Sequence, residues 1–178
     1  MKKNILAILI IISIISCKKD GDNNAPEKNI KENFIVEVNA SCAKSDDFAM
    51  YYSEDGTSNF KDINAVWKGI KGGSKTQKID FELDPEKLPT HFRLDFGLKK
   101  DQDSVVINNI TASYYGNKFE FKGNDFFKYF IKNDEFITKT DDVKGTLTIL
   151  SNNGLYKTPY YYPTQLTIDK LKEITTKK

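Results

Sequence analysis

Residues 79–96 read Ile-Asp-Phe-Glu-Leu-Asp-Pro-Glu-Lys-Leu-Pro-Thr-His-Phe-Arg-Leu-Asp-Phe. Apolar and polar side chains alternate at each end, with Ile79, Phe81 and Leu83 sharing one phase and Phe92, Leu94 and Phe96 another. Successive side chains of an extended strand point to opposite faces, so this period of two describes a strand with one face packed and one face wet. Asp80, Glu82, His91, Arg93 and Asp95 occupy the polar phase. Antiparallel sheets tolerate such one-sided burial.

The same alternation appears earlier, where Phe34, Val36 and Val38 oppose Glu37. Further strands are expected over Phe48–Tyr52, Ala65–Ile70, Ser104–Tyr115, Lys118–Phe121 and Thr146–Leu150. In the long segment Val105 and Ile107 keep one phase while Ile110 and Ala112 keep the other, which calls for a bulge near Asn108 and Asn109. Turn-forming residues separate the segments: Glu54-Asp55-Gly56, the hairpin turn expected at Lys71-Gly72-Gly73-Ser74, Gly116-Asn117 and Asn152-Asn153-Gly154. Helix is expected in only two places, one turn over 124–130 capped by Asn124 or Asp125, and a C-terminal helix carrying Ile168, Leu171 and Ile174. The expected fold is mainly β, an antiparallel, jelly-roll-like β-sandwich with a short C-terminal helix.

The N-terminal end has a different composition. Lys2 and Lys3 precede an apolar run from Ile5 to Ile15 interrupted only by Ser13. Eleven helical residues cover about 16 Å, well short of the roughly 30 Å of bilayer hydrocarbon, so the run suits a cleaved export signal better than a membrane span. Ile14-Ile15-Ser16-Cys17 resembles the lipobox of bacterial lipoproteins. The resemblance implies cleavage after residue 16, acylation of Cys17 as the lipidation site, and an outer-membrane or cell-surface location. Lys18 at the position after the cysteine fits that location, since by the same resemblance an aspartate there marks retention in the inner membrane. Durable anchoring takes more than one acyl chain, each buried methylene contributing about 0.8 kcal/mol. Residues 18–33 hold only Ala25 and Ile30 as apolar side chains and form no core. The expected organisation is a signal over 1–16, a lipidated cysteine and tether over 17–33, and one domain over 34–178. Sixteen tether residues reach about 50 Å when extended.

The chain carries 27 basic and 25 acidic residues. Loss of Lys2 and Lys3 with the signal leaves 25 of each, and a neutral domain with interspersed signs has no electrostatic footprint for nucleic acid. With Cys17 assigned to lipid, Cys42 has no disulfide partner and reads as a small buried hydrophobe. His91 is the only histidine. No nucleophile-elbow pattern accompanies it, and it is expected on the surface. Zinc is disfavoured by the same scarcity of ligands. Asp46-Asp47, Glu54-Asp55 and Asp141-Asp142 read as solvated turn carboxylates, with Asp46 and Asp47 the candidates for a structural calcium ion. The cluster from Gly69 to Lys75 lacks the spacing of a phosphate-binding loop.

Aromatic clusters carry the strongest functional signal: Tyr51-Tyr52, Trp67, Tyr114-Tyr115 and Tyr160-Tyr161-Tyr162. Sugar rings stack their apolar faces on such side chains while neighbouring polar groups bond the hydroxyls. Alternation sends one member of each tyrosine pair inward. Trp67 reads first as a core residue and second as a ligand platform. The candidate ligand-binding set is Trp67, Tyr51, Tyr52, Tyr115, Tyr161 and Arg93.

The run His91-Phe92-Arg93-Leu94-Asp95-Phe96-Gly97, a loop carrying Asp101 and Asp103, Val105-Val106-Ile107-Asn108-Asn109-Ile110 and the aromatic strand that follows resembles galactose-binding-like jelly rolls of carbohydrate-binding modules. The resemblance implies a β-sandwich and glycan binding, and transfers no binding residue. The expected function is a non-catalytic, envelope-anchored domain that binds carbohydrate or a cell-surface partner. The alternatives are an accessory lipoprotein of an envelope complex without a small-molecule ligand, and a glycan-acting hydrolase.

Overall fold

The computed structural model describes residues 32–132, 138–150 and 156–176. Cys17 and the leader lie outside them. The described residues form two antiparallel sheets packed as a β-sandwich, with one longer helix at the C-terminal end.

The first sheet contains β1 (Ile35–Cys42), β4 (Gly73–Glu82), β6 (Ser104–Tyr114), β7 (Asn117–Lys122), β8 (Thr138–Asp141) and β9 (Thr146–Ile149). Their order is β4-β1-β6-β9-β8, with β7 also paired to β6. The second sheet contains β2 (Asp46–Ser53), β3 (Ala65–Ile70), β5 (His91–Phe96) and β10 (Tyr160–Tyr161), ordered β10-β5-β2-β3. The alternating segments within 79–96 therefore stand in opposite sheets, and the chain between Glu82 and His91 crosses from one layer to the other. The glycine-rich stretch 71–74 likewise crosses between sheets, where a hairpin turn was expected, because β3 pairs with β2 while β4 pairs with β1. Gly72 passes so close to the chain at Lys44 and Ser45 that a Cβ there would lie 2.7 Å from the Ser45 nitrogen.

The core fills the space between the inner faces. Val36, Val38, Phe81, Ile107 and Ile110 contribute from one sheet, and Phe48, Met50, Phe92, Leu94 and Phe96 from the other, all buried. Aromatic pairs pack within it, including Phe48 against Phe96 at 5.2 Å edge to face and Phe126 stacked on Phe130 at 4.8 Å. Edge-to-face and offset geometries align ring edges with ring faces and add about 0.5–1.5 kcal/mol beyond the area buried. A 3-10 turn over Gly123–Asp125 leads into α1 (Phe126–Tyr129), and α2 (Gln165–Thr176) buries Thr167, Leu171 and Ile174. Neither Asn124 nor Asp125 caps α1 through its side chain; Asp125 instead pairs with Lys128.

The expected irregularity in the long strand is present. Asn39 pairs with Asn109 but Ala40 with Ile107, leaving Asn108 as the extra residue. On its other edge β6 changes partner at the same place, from β7 at residues 109–114 to β9 at residues 104–106. Two glycines close the junction: a Cβ on Gly123 would fall 1.7 Å from the Ile107 carbonyl oxygen, and one on Gly145 2.6 Å from it. The tight β6–β7 turn takes Tyr115 at φ 48° and Gly116 at φ 80° as its central pair, one residue earlier than expected. Both angles suit a hairpin turn that matches strand twist.

Candidate functional site: an aromatic platform on the four-stranded sheet

Strand pairing lines up Trp67, Ala49, Asp95 and Tyr160 as one row across β3, β2, β5 and β10. The adjoining row holds Ala65, Tyr51 and Arg93. These positions alternate with the core residues Phe48, Met50, Leu94 and Tyr161, so they stand on the outer face. Ala49 is the smallest side chain of its row, and a shallow open cavity of about 360 Å³ lies over this face, lined by Tyr51, Trp67, Arg93, Asp95, Lys157 and Tyr160. Leu98 and Thr158 complete the wall.

Trp67 is 43% exposed. Its first reading as a core residue is therefore corrected: the inward phase of β3 belongs to Val66 and Ile70, which pack on the core. The indole meets the Tyr51 ring edge to face with centroids 6.1 Å apart. Tyr51 in turn lies under Arg93, whose guanidinium carbon is 4.1 Å from the Tyr51 centroid, 5.2 Å from Tyr160, 5.7 Å from Phe60 and 5.8 Å from Tyr162. All four distances fall within the range of cation–π attraction. Arg93 also donates from Nε and Nη2 to the two Asp95 carboxylate oxygens, both at 2.8 Å. Burial opposes the Arg93 charge, while Asp95 and then Tyr162 favour it, so its pKa is raised. Burial lifts the Asp95 carboxyl above the usual range, with Arg93 pulling the other way. Burial, then the Asp95 and Asp62 carboxylates, raise the Tyr51 hydroxyl. The result is a fixed, preorganised surface of rings and paired charge.

The segment preceding β10 supplies the remaining wall. Pro159 accepts the Phe96 backbone N–H at 2.8 Å, and Tyr156 donates its hydroxyl to the Gly97 carbonyl at 2.8 Å. Burial, and then the Asp46 carboxylate, push the Tyr156 hydroxyl pKa up. Asp46 secures the opposite loop. Its oxygens accept from the backbone nitrogens of Asp47 and Leu98 at 2.8 Å, from Lys99 at 3.3 Å and from the Gln102 amide at 3.2 Å. Asp46 is thus a buried loop anchor whose lone pairs face N–H donors, while Asp47 stands exposed on β2 opposite Gly69. Among the described residues no group of three or more His, Cys, Asp or Glu side chains is arranged to hold a metal ion.

Of the residues expected to bind ligand, the structure brings together Trp67, Tyr51 and Arg93. It places the other three elsewhere. Tyr52 is 7% exposed and packs in the core, as the in-and-out alternation of adjacent tyrosines requires. Tyr161 is fully buried, with its hydroxyl 2.7 Å from that of Thr138. Tyr115 is exposed, but in the β6–β7 turn of the other sheet. Sequence reasoning missed Tyr160, Asp95, Lys157 and Phe60. The Tyr160-Tyr161-Tyr162 triplet carried a usable signal, since alternation puts its outer two members on one face and its middle member on the other. Cys42 is buried and free, its thiol 3.0 Å from the Lys44 carbonyl, and burial followed by the Asp46 carboxylate raises its pKa. His91 lies half-buried beside Thr90, with Nδ1 3.2 Å from its hydroxyl.

No protein-family model matches the chain, and no curated protein or solved structure matches it significantly.

Proposed function

We propose that the chain is an envelope-anchored lipoprotein whose sandwich domain binds carbohydrate on the outer face of the four-stranded sheet, without covalent chemistry. The observation that carries this reading is the exposed Trp67 indole beside the locked Arg93–Asp95 pair. A flat apolar ring meets the C–H face of a sugar, and fixed polar atoms alongside meet its hydroxyls. Because Tyr51, Arg93 and Asp95 are held by one another, little side-chain entropy is lost on binding. The shallow, open shape suits a saccharide chain lying across the sheet. Cys17, through the lipobox resemblance, supplies the anchor, and residues 18–33 the reach.

Thermal unfolding of the full-length protein against a panel of oligosaccharides tests this reading, with calcium and with chelator as separate arms. A ligand at 100 times its Kd adds about 2.7 kcal/mol, which raises Tm by several degrees for a domain of this size. A rise with one sugar class supports the proposal. The absence of any rise across the panel refutes carbohydrate binding and favours an accessory role in an envelope assembly. Incorporation of labelled fatty acid, lost in Cys17→Ser, tests the anchor.

A further inference from the structure

We infer that the cavity over the four-stranded sheet selects acidic saccharides, a sugar carboxylate pairing with Lys157 while its ring lies against Trp67. The inference rests on the carbohydrate reading above and names the substrate class of the same site.

Three charged side chains line the cavity: Arg93, Asp95 and Lys157. Arg93 and Asp95 are committed to each other through two parallel hydrogen bonds, so together they present no net charge. Lys157 differs from both. It is exposed, and among the described residues it has no carboxylate within ion-pair distance. Among the described residues, Lys157 is therefore the one cation of the lining without a carboxylate partner, carried on a flexible stem at its rim. Asp62 acts electrostatically on Tyr51 but is not part of the lining. Thr158, next to Lys157, adds a hydroxyl to the same wall.

Chemistry follows from this placement. A neutral sugar satisfies the indole and the locked polar pair but leaves the ammonium in water. A sugar acid satisfies all of them, and its carboxylate accepts a charge-assisted hydrogen bond that a hydroxyl makes less strongly. The lysine stem is long enough to follow the acid group, so the selection is by charge and not by a rigid fork. Being at the rim, the pairing is screened by salt.

Isothermal titration calorimetry on the full-length protein tests this with a uronic-acid trisaccharide and its carboxyl-reduced, neutral counterpart. The acidic form is expected to bind about five- to tenfold more tightly at low salt, the preference shrinking at 1 M salt. In Lys157→Met the ratio of the two affinities is expected to fall to near one, and in Lys157→Glu to invert. Equal affinities in the unmodified protein overturn the acidic selection while leaving the carbohydrate reading standing. A preference that survives Lys157→Met overturns the role of Lys157. Binding of neither sugar overturns the acidic selection, while the oligosaccharide panel decides the carbohydrate reading separately.

Discussion

Arg93 and Asp95, two residues apart on one strand, lie side by side on the outer face of the sheet, joined by Nε–Oδ1 and Nη2–Oδ2 hydrogen bonds of 2.8 Å each. The Asp95 side chain is 6% exposed and that of Arg93 17%. Parallel bonds between a guanidinium and a carboxylate are among the stronger polar contacts in proteins, and removing one partner strands the other.

Asp95→Ala is therefore expected to destabilise the domain by about 2–3 kcal/mol, somewhat below the cost of breaking a fully buried pair because Arg93 keeps some water. Replacing both residues, as Arg93→Met with Asp95→Ala, should recover more than half of that loss. Urea unfolding of the two single variants and the double variant measures the coupling. Additive losses would show that the pair is not the organising contact.

Trp67→Ala is expected to cost only about 1 kcal/mol, since the residue is 43% exposed on the outer face and meets the Tyr51 ring edge to face. Phe96→Ala, in the core between Phe48 and Tyr161, is expected to cost about 3–5 kcal/mol. Denaturant midpoints of the two variants make the comparison. A Trp67→Ala loss as large as that of Phe96→Ala would restore Trp67 to the core.

Gly123→Ala places a methyl group against the Ile107 carbonyl at the point where β6 changes partner. The obstacle is backbone, which cannot rotate aside, so a loss of about 2–3 kcal/mol is expected. The same substitution at Gly56, where nothing lies within 4 Å of the added carbon, meets no such obstacle. It retains only the strain of φ +78°, about 1 kcal/mol. Thermal unfolding of both variants separates close approach from backbone conformation.

Glu37 accepts from Lys78 across the β1–β4 pair at 2.8 Å, and that hydrogen bond is the main reason its pKa is lowered in the folded chain. A lowered carboxylate pKa stabilises the fold above the ordinary value of 4.5 and loses that contribution as pH falls through the folded value. Both side chains are partly solvated, so the contribution is small, about 0.5 kcal/mol. Glu37→Gln should therefore be less stable than the parent at pH 7, the difference vanishing well below pH 4. Thermal unfolding across that range reads the difference, and a gap that persists at acid pH contradicts the assignment.

Much of the sandwich was legible because one-sided burial imposes a period of two. The strands carrying Val36, Phe81 and Leu94 announced themselves in this way, and the phase change between Ile107 and Ile110 announced the bulge at Asn108. Sheet membership was not legible: nothing local distinguishes a linker that turns back from one that crosses layers, and residues 71–74 and 83–90 cross. Trp67 defeated the reading because β3 is apolar in both phases, Val66 and Ile70 on one side and Ala65 and Trp67 on the other. The parity of Tyr160-Tyr161-Tyr162 depended on which of them meets Asp95, a register set by β5 and invisible in the triplet itself. Arg93 was readable as an outward residue, but its ring of four aromatics draws on three distant segments of chain.

Trp67 is the sole tryptophan and stands in the proposed site, so its fluorescence reports on that site alone. Titration of the full-length protein with the oligosaccharide that raises Tm is predicted to give a saturable change in Trp67 emission, with a midpoint equal to the calorimetric Kd. Binding that saturates by calorimetry while Trp67 emission stays unchanged would place the ligand elsewhere and contradict the assignment of this sheet face as the binding platform.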